Sequence, residues 1–256
     1  MLTRAIVRPP AVNFEQGLTS VDLGKPDFAK ATAQHAGYCD ALRKCGLALT
    51  WLEADSNFPD STFVEDTAIV TAQSAVLTRP GATSRMGEVV AIEPALRRFY
   101  SRVDAIESPG TLDGGDVCAA GTHYFIGISE RTNQRGADRL ATFLDREGFT
   151  SSTVDIRGIG GILHLKSGVS YLGGRRLTLI DELIGHPAFA EYEVVRIPEA
   201  ESYAANMLHI NEHVIMSSGY PQVESSLRNL GYDPITVEMS EFRKMDGALS
   251  CLSLRF

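Results

Sequence analysis

The spacing of apolar residues changes within the first fifty positions of the chain. Ala5-Ile-Val7 is a short continuous apolar run closed by Pro9-Pro10, which predicts a buried strand. The stretch from Asn13 to Lys25 is polar and contains glycine, which predicts a mobile loop. Then Phe28, Ala31, His35, Tyr38, Cys39, Leu42 and Cys45 recur at three- and four-residue steps, with Pro26 suited to a first helical position and Gly46 to a stop. That is the pattern of an amphipathic helix. Similar patterns run from Gly87 toward Tyr100, from Asn133 to Glu147 before Gly148, and from Gln222 to Leu230 before Gly231. Between them, the runs at residues 75–78, 123–126, 169–172, 177–180, 213–216 and 235–237 predict strands.

A longer period lies over this one. Polar motifs that precede apolar strands return near Glu65, Asp113, His164, Asn206 and Cys251, at intervals of roughly 40–50 residues, which suggests one supersecondary unit repeated around an axis. Residues at equivalent points of such units converge on the centre of a ring, so widely spaced side chains can share one pocket. No linker or low-complexity tract divides the chain, and residues 1–256 are expected to form a single catalytic domain.

Composition narrows the function. With 256 residues and 44% hydrophobic content the chain can bury a substantial core, and a net charge of −8 disfavours nucleic acid as a partner and mildly favours cationic ligands. No apolar segment approaches membrane-spanning length, so no membrane association is expected. The four cysteines, Cys39, Cys45, Cys118 and Cys251, form no C-x-x-C pair and no dense framework, which predicts a reduced, cytoplasmic protein.

The candidate chemistry centres on Cys251. A cysteine in the run Leu249-Ser-Cys-Leu-Ser-Leu254 is ordinarily a small buried hydrophobe, but the turn signal Asp246-Gly247 puts it at the start of a strand, where a site can open. Cys39 and Cys45 fall on the apolar face of a helix and Cys118 in a strand, and all three are assigned to the core. Among six histidines, His164 has the setting most like an active-site segment, following Gly158-Ile-Gly-Gly-Ile-Leu163 and preceding Lys166-Ser167-Gly168. Carboxylates at Asp60, Glu65, Asp66, Asp113 and Asp116 suit a pocket for a guanidinium, whose planar N–H fork matches these acceptors. Paired metal-ligand spacing is lacking, and no metal is expected.

These residues carry a resemblance to the dimethylarginine dimethylaminohydrolases of the guanidino-group-modifying pentein superfamily. It spans essentially the whole chain, through Gly17-Leu-Thr-Ser20, Phe58-Pro-Asp-Ser61, Phe63-Val-Glu-Asp66, Thr78-Arg-Pro-Gly81, Arg131-Thr-Asn133, His164-Leu-Lys166, Glu201-Ser-Tyr-Ala-Ala-Asn206 and Ser250-Cys-Leu-Ser-Leu-Arg-Phe256. The resemblance implies an α/β fold, a five-bladed pentein propeller of ββαβ units with pseudo-fivefold symmetry. It further implies cofactor-independent hydrolysis of an Nω-methylated arginine to citrulline and methylamine or dimethylamine. In this reading Cys251 is the nucleophile, forming a covalent thiouronium, His164 is the acid and base, and Asp113 orients His164 from a position where relatives carry glutamate. Asp66 would hold the guanidinium, Arg85 and Arg131 the α-carboxylate and Asp60 the α-amino group. Glu65 would line the same region, Leu18 would lie on a flap, and Met245 and Asp246 would offer backbone contacts. The ligand is expected to be a small guanidino compound, and the oligomeric state stays open, a homodimer included. Hydrolysis of unmodified arginine by an arginine deiminase of the same superfamily is the alternative, and a noncatalytic arginine-binding protein a second one.

Overall fold

The computed structural model describes residues 1–256, and its fifteen strands form five three-stranded sheets. The chain opens with β1 (Arg4–Val7), α1 (Phe28–Lys44) and β2 (Ala48–Trp51). A second unit follows as β3 (Ala68–Val70), β4 (Ala75–Leu77), α2 (Val89–Leu96) and β5 (Val103–Ala105). The third is β6 (Val117–Ala120), β7 (His123–Ile128), α3 (Gln134–Asp145) and β8 (Thr150–Asp155). The fourth is β9 (Val169–Tyr171), β10 (Arg176–Ile180) and β11 (Glu193–Ile197). The fifth is β12 (Leu208–Ile210), β13 (His213–Ser217), α4 (Pro221–Asn229) and β14 (Ile235–Val237), followed by the short α5 (Ser240–Arg243). Finally β15 (Ser253–Arg255) pairs with β1 and completes the sheet of the first unit.

Every sheet repeats one connectivity. The first strand pairs antiparallel with the second, and the second pairs parallel with the third. A parallel pair requires a crossover, which a helix supplies in four units. In the fourth unit two 3-10 turns, Asp181–Leu183 and Pro187–Phe189, take that place. First strands of neighbouring units adjoin, β15 with β3, β6 with β9 and β9 with β12, so they form an inner ring with the helices outside. The units are joined by shared apolar clusters: Tyr38 and Leu42 of α1 bury in one core with Ile215, Val237 and Phe242. Each such large side chain contributes roughly 1.5–3 kcal/mol on burial.

Each inner strand is entered through a 3-10 turn: Val64–Thr67, Gly114–Asp116, Leu165–Ser167, Glu199–Ala205 and Ser250–Leu252. These turns hold or adjoin the five polar motifs whose spacing the sequence displays, which gives that period its physical basis. Two local expectations are corrected. Asp27 rather than Pro26 starts α1, because its carboxylate accepts from the Lys30 amide and fixes the cap one residue beyond the proline. The segment before Val89 is a 3-10 turn, Thr83–Glu88, so α2 is shorter than the periodicity predicts. No helix is long and apolar enough to cross a membrane.

Candidate active site

The turns at the entrances of the inner strands deliver the chemistry. Leu18, Asp60, Phe63, Asp66, Arg85, Arg131, Leu163, His164, Met245, Asp246, Gly247 and Cys251 line one small cavity of about 20 Å³, little more than the space of one water. Cys251 sits in the turn just ahead of β15, and His164 caps the turn leading into β9.

Asp113 lies behind His164. His164 Nε2–H donates to Asp113 Oδ2 at 3.0 Å, and Asp113 is fully buried. The aspartate is held in turn by its own backbone and side-chain contacts: Gly81 N–H donates to Oδ1 at 2.8 Å and the Asp113 amide donates to Thr132 Oγ1. The two glycines that follow are dictated by close approach. A Cβ at Gly114 would meet the Glu65 carbonyl oxygen, and one at Gly115 would lie 2.6 Å from His164 Nδ1 and 3.0 Å from Asp66 Oδ1.

Burial by itself would lower the His164 pKa, but the carboxylates of Asp66, Asp116 and Asp113 outweigh it and raise it to about 9. Asp113 is held below the usual carboxylate range: burial opposes this, and the hydrogen bond and charge of His164 overcome it. At neutral pH the pair is therefore imidazolium and carboxylate. Burial pushes the Cys251 thiol up to about 12, with Glu65 and Asp66 adding to the effect. In the unliganded cavity the thiol is protonated.

The guanidinium of Arg85 is buried and bonded chiefly within the protein. It donates to Asp66 Oδ2 at 2.6 Å, to both oxygens of Glu88 at 3.0 and 2.8 Å, and to the Phe63 carbonyl at 3.1 Å. Asp66 also accepts from the Gly115 amide at 2.8 Å, so one of its oxygens braces the turn that follows Asp113 while the other holds Arg85. Arg131 lines the cavity and forms no ion pair. The segment from Gly17 folds over the site. The Leu18 amide donates to both Asp60 oxygens at 3.1 Å, and the Ser20 hydroxyl donates to Asp246 Oδ2 at 2.9 Å. Asp246 presents that acceptor from a left-handed backbone, φ 55°, a conformation aspartate tolerates better than most residues.

Three placements differ from expectation. Glu65 does not line this cavity: its carboxylate is buried between Lys166 Nζ at 2.7 Å, Arg255 at 2.8 Å and the Ser250 hydroxyl at 2.6 Å, because a buried carboxylate needs partners on every side. Asp116 is likewise absent from it, fully buried and accepting from the Leu165 amide at 2.9 Å and the Ser129 hydroxyl at 2.6 Å. Cys251 occupies the turn before the strand rather than the strand itself. Sequence reasoning missed Glu88, Asn206 and Ser250. Glu88 was detectable as an acid three residues after Arg85, whereas Asn206 reaches Ser250 across the ring, accepting from its amide at 2.9 Å.

Asp66, Asp113 and His164 place donor atoms within 4.8 Å of one another, a spacing that could hold a cation. Their atoms are already committed, His164 to Asp113 and Asp66 to Arg85 and Gly115, and an imidazolium cannot ligate. The geometry fits acid–base work better than metal ligation.

No family model matches the chain. It is 46% identical over 257 residues to the N(G),N(G)-dimethylarginine dimethylaminohydrolase of Pseudomonas aeruginosa, covering 100% of both chains. Among solved structures it resembles that enzyme from P. aeruginosa, a cysteine-to-serine mutant complexed with citrulline, at 45% identity and a TM-score of 0.97 with both chains wholly covered. It also resembles a dimethylarginine dimethylaminohydrolase with histidine replaced by glycine, in an adduct with S-methyl-L-thiocitrulline, at 45% identity, full coverage of both chains and a TM-score of 0.96.

Proposed function

The chain belongs to the dimethylarginine dimethylaminohydrolase family, and from that membership we infer that it hydrolyses Nω-methylated L-arginine to L-citrulline and dimethylamine or methylamine. The observation that carries the reading in this chain is the joint presence of Cys251, His164 and Asp66 around one cavity, with Asp113 bonded behind the histidine.

The residues support the following chemistry. A guanidinium is already cationic, so its arrival beside Asp66 and Cys251 offsets the burial and the carboxylate charges of Glu65 and Asp66 that keep the thiol protonated. The thiol releases its proton to solvent and the sulfur attacks the guanidinium carbon. As that tetrahedral species collapses, the C–N bond to the methylated nitrogen breaks and His164, charged at neutral pH, gives the departing amine its proton. The product of this half-reaction is an S-alkylthiouronium on Cys251. His164, now neutral, takes a proton from water, the hydroxide adds to the same carbon, and the C–S bond breaks to release citrulline. With Nε2 fixed on Asp113, Nδ1 is the ring nitrogen left for both transfers. Asp113 favours the imidazolium and sets the ring plane, and no cofactor enters any step.

Arg131 supports binding of the α-carboxylate, as a cavity cation without an ion pair. Arg85 supports a different assignment from the one its charge suggests, that of holding Asp66 in place, since most of its donors go to Asp66, Glu88 and the Phe63 carbonyl. Asp60 and the Leu18 amide sit where an amino group and a covering flap would meet. Residues 1–256 act as one catalytic domain in this reading, because its groups come from four of the five units.

Citrulline release from asymmetric dimethylarginine, monomethylarginine and arginine tests the reading. Methylated substrates are expected to show the higher kcat/KM. Apolar space for methyl groups leaves the extra N–H donors of arginine unpaired, at a cost of about 1–3 kcal/mol each. Equal or better values for arginine would move the protein to the deiminase reaction.

A further inference from the structure

A cavity much larger than the catalytic one lies elsewhere in the molecule. A chamber of about 390 Å³ is lined by the inner strands themselves, with Ile69 and Val70 of β3, Val117 to Ala119 of β6, Tyr171 of β9, Leu208 of β12 and Leu254 of β15 in its wall. The catalytic cavity is lined largely by residues that precede those strands, among them Asp66, His164 and Cys251, joined by Leu18, Arg85 and Arg131. The two spaces therefore lie at different levels of the same axis. Glu65, Lys166, Ser250 and Arg255 line the larger one and Cys251, next to Ser250, lines the smaller, so this ionic group forms a floor between them.

The floor carries unequal charge. Glu65 supplies one negative charge against the two positive charges of Lys166 and Arg255. Arg255 spends its NH1 donors on the Ser250 and Ser253 carbonyls and the Ser253 hydroxyl, and its NH2 on Glu65. Lys166 makes a single contact, Nζ to Glu65 at 2.7 Å, although an ammonium has three donors and this one has only 15% of its side chain exposed. Above this floor the wall is predominantly apolar, with 15 of 24 lining residues hydrophobic, so an uncharged polar ligand would lose more hydration than it regains. The volume falls in the range of small-molecule sites.

We propose that this chamber is a second binding site, specific for a small monocarboxylate with an apolar body, its carboxylate on Lys166 and its chain against the inner-strand wall. Such a ligand neutralises the net charge of the floor and fills the apolar space with one molecule. It is chemically unlike the zwitterionic guanidino substrate, and the site is independent of the reaction proposed for Cys251.

Isothermal titration of the intact protein with octanoate tests this, with octanol as the uncharged comparison. Octanoate is expected to bind saturably at one site per chain, to be undisturbed by saturating citrulline, and to exceed octanol in affinity by about tenfold or more, the worth of one charge-assisted hydrogen bond. Lys166→Met should lose that margin. Ala119→Phe, a change at an exposed wall residue that takes no part in the ion pairs, should weaken octanoate as well by filling the chamber, which covers the case in which Lys166→Met fails to fold. Absence of saturable binding, displacement by citrulline, or unaltered affinity in Ala119→Phe would each overturn the proposal. Citrulline formation is measured separately in the same protein, so failure here leaves the catalytic reading to its own test.

Discussion

Asp113 reaches His164 directly, Oδ2 to Nε2 at 3.0 Å, from a fully buried position. Close backbone packing accompanies this contact. The Glu65 carbonyl lies where a Cβ of Gly114 would be, and Gly115 packs against the His164 ring, so the turn after Asp113 has no room for larger side chains at these two positions.

Replacing Asp113 by asparagine should expose the electrostatic part of this contact. His164 loses one of the carboxylates that raise its pKa to about 9, so the alkaline limb of kcat/KM should move to lower pH, and kcat should fall by roughly 10²–10⁴-fold at neutral pH. Linkage makes a matching statement about stability. Because the folded pKa lies above the unfolded value of 6.5, the protonated pair stabilises the native state fully below about pH 6.5, and that contribution disappears as pH rises through about 9. Urea unfolding at pH 6 and pH 10 should show the wild type losing its advantage over Asp113→Asn. An unchanged pH profile in the variant would remove Asp113 from the mechanism.

Cys251→Ser should fold normally and lose nearly all turnover while still binding citrulline. A haloacetamidine directed at the site should label Cys251 and leave Cys118, which lies outside the catalytic cavity, unmodified. Exhaustive chelation should leave the wild-type rate unchanged. Recovery of lost activity by one divalent metal would require a different mechanism.

Glu65 connects the floor of the site to the thiol. Glu65→Gln removes the charge that pairs with Lys166 and Arg255, and leaving buried cations without their partner should cost about 3 kcal/mol in urea unfolding. The same change removes one of the carboxylates that raise the Cys251 pKa, so iodoacetamide should react with Cys251 faster at pH 8 than in the wild type. If the alkylation rate falls instead, Glu65 does not act on the thiol through its charge.

The flap contact can be tested without disturbing the reacting groups. Asp246→Gly keeps the left-handed backbone conformation and deletes the acceptor for Ser20, so the segment from Gly17 should close less often over the substrate. Steady-state kinetics should show KM rising by about tenfold or more with a smaller change in kcat, the loss expected when the two hydrogen bonds from Ser20 to a charged group are removed. An unaltered KM would detach the flap from binding.

Local pattern was enough for the units and much of the site's membership. The helical spacing of Phe28 to Cys45, the strand runs at 75–78 and 213–216, and the return of polar motifs every 40–50 residues or so are properties of short segments, and each reflects burial of one face at a fixed period. Outer strands such as Thr150–Asp155 were not legible, because an edge strand with mostly solvent-facing side chains carries little apolar signal. Folding alone decided which acids face the cavity. Asp60, Glu65, Asp66, Asp113 and Asp116 look alike in sequence, yet only Asp60 and Asp66 line it, while Asp113 backs the histidine, Asp116 braces Leu165 and Glu65 pairs with two cations on its other side. Those distinctions depend on contacts between residues 49 to 190 positions apart, Leu165 with Asp116 and Arg255 with Glu65 among them. The pKa values of Cys251 and His164 follow from the same closed ring, since burial and neighbouring charge exist only once the five units have assembled.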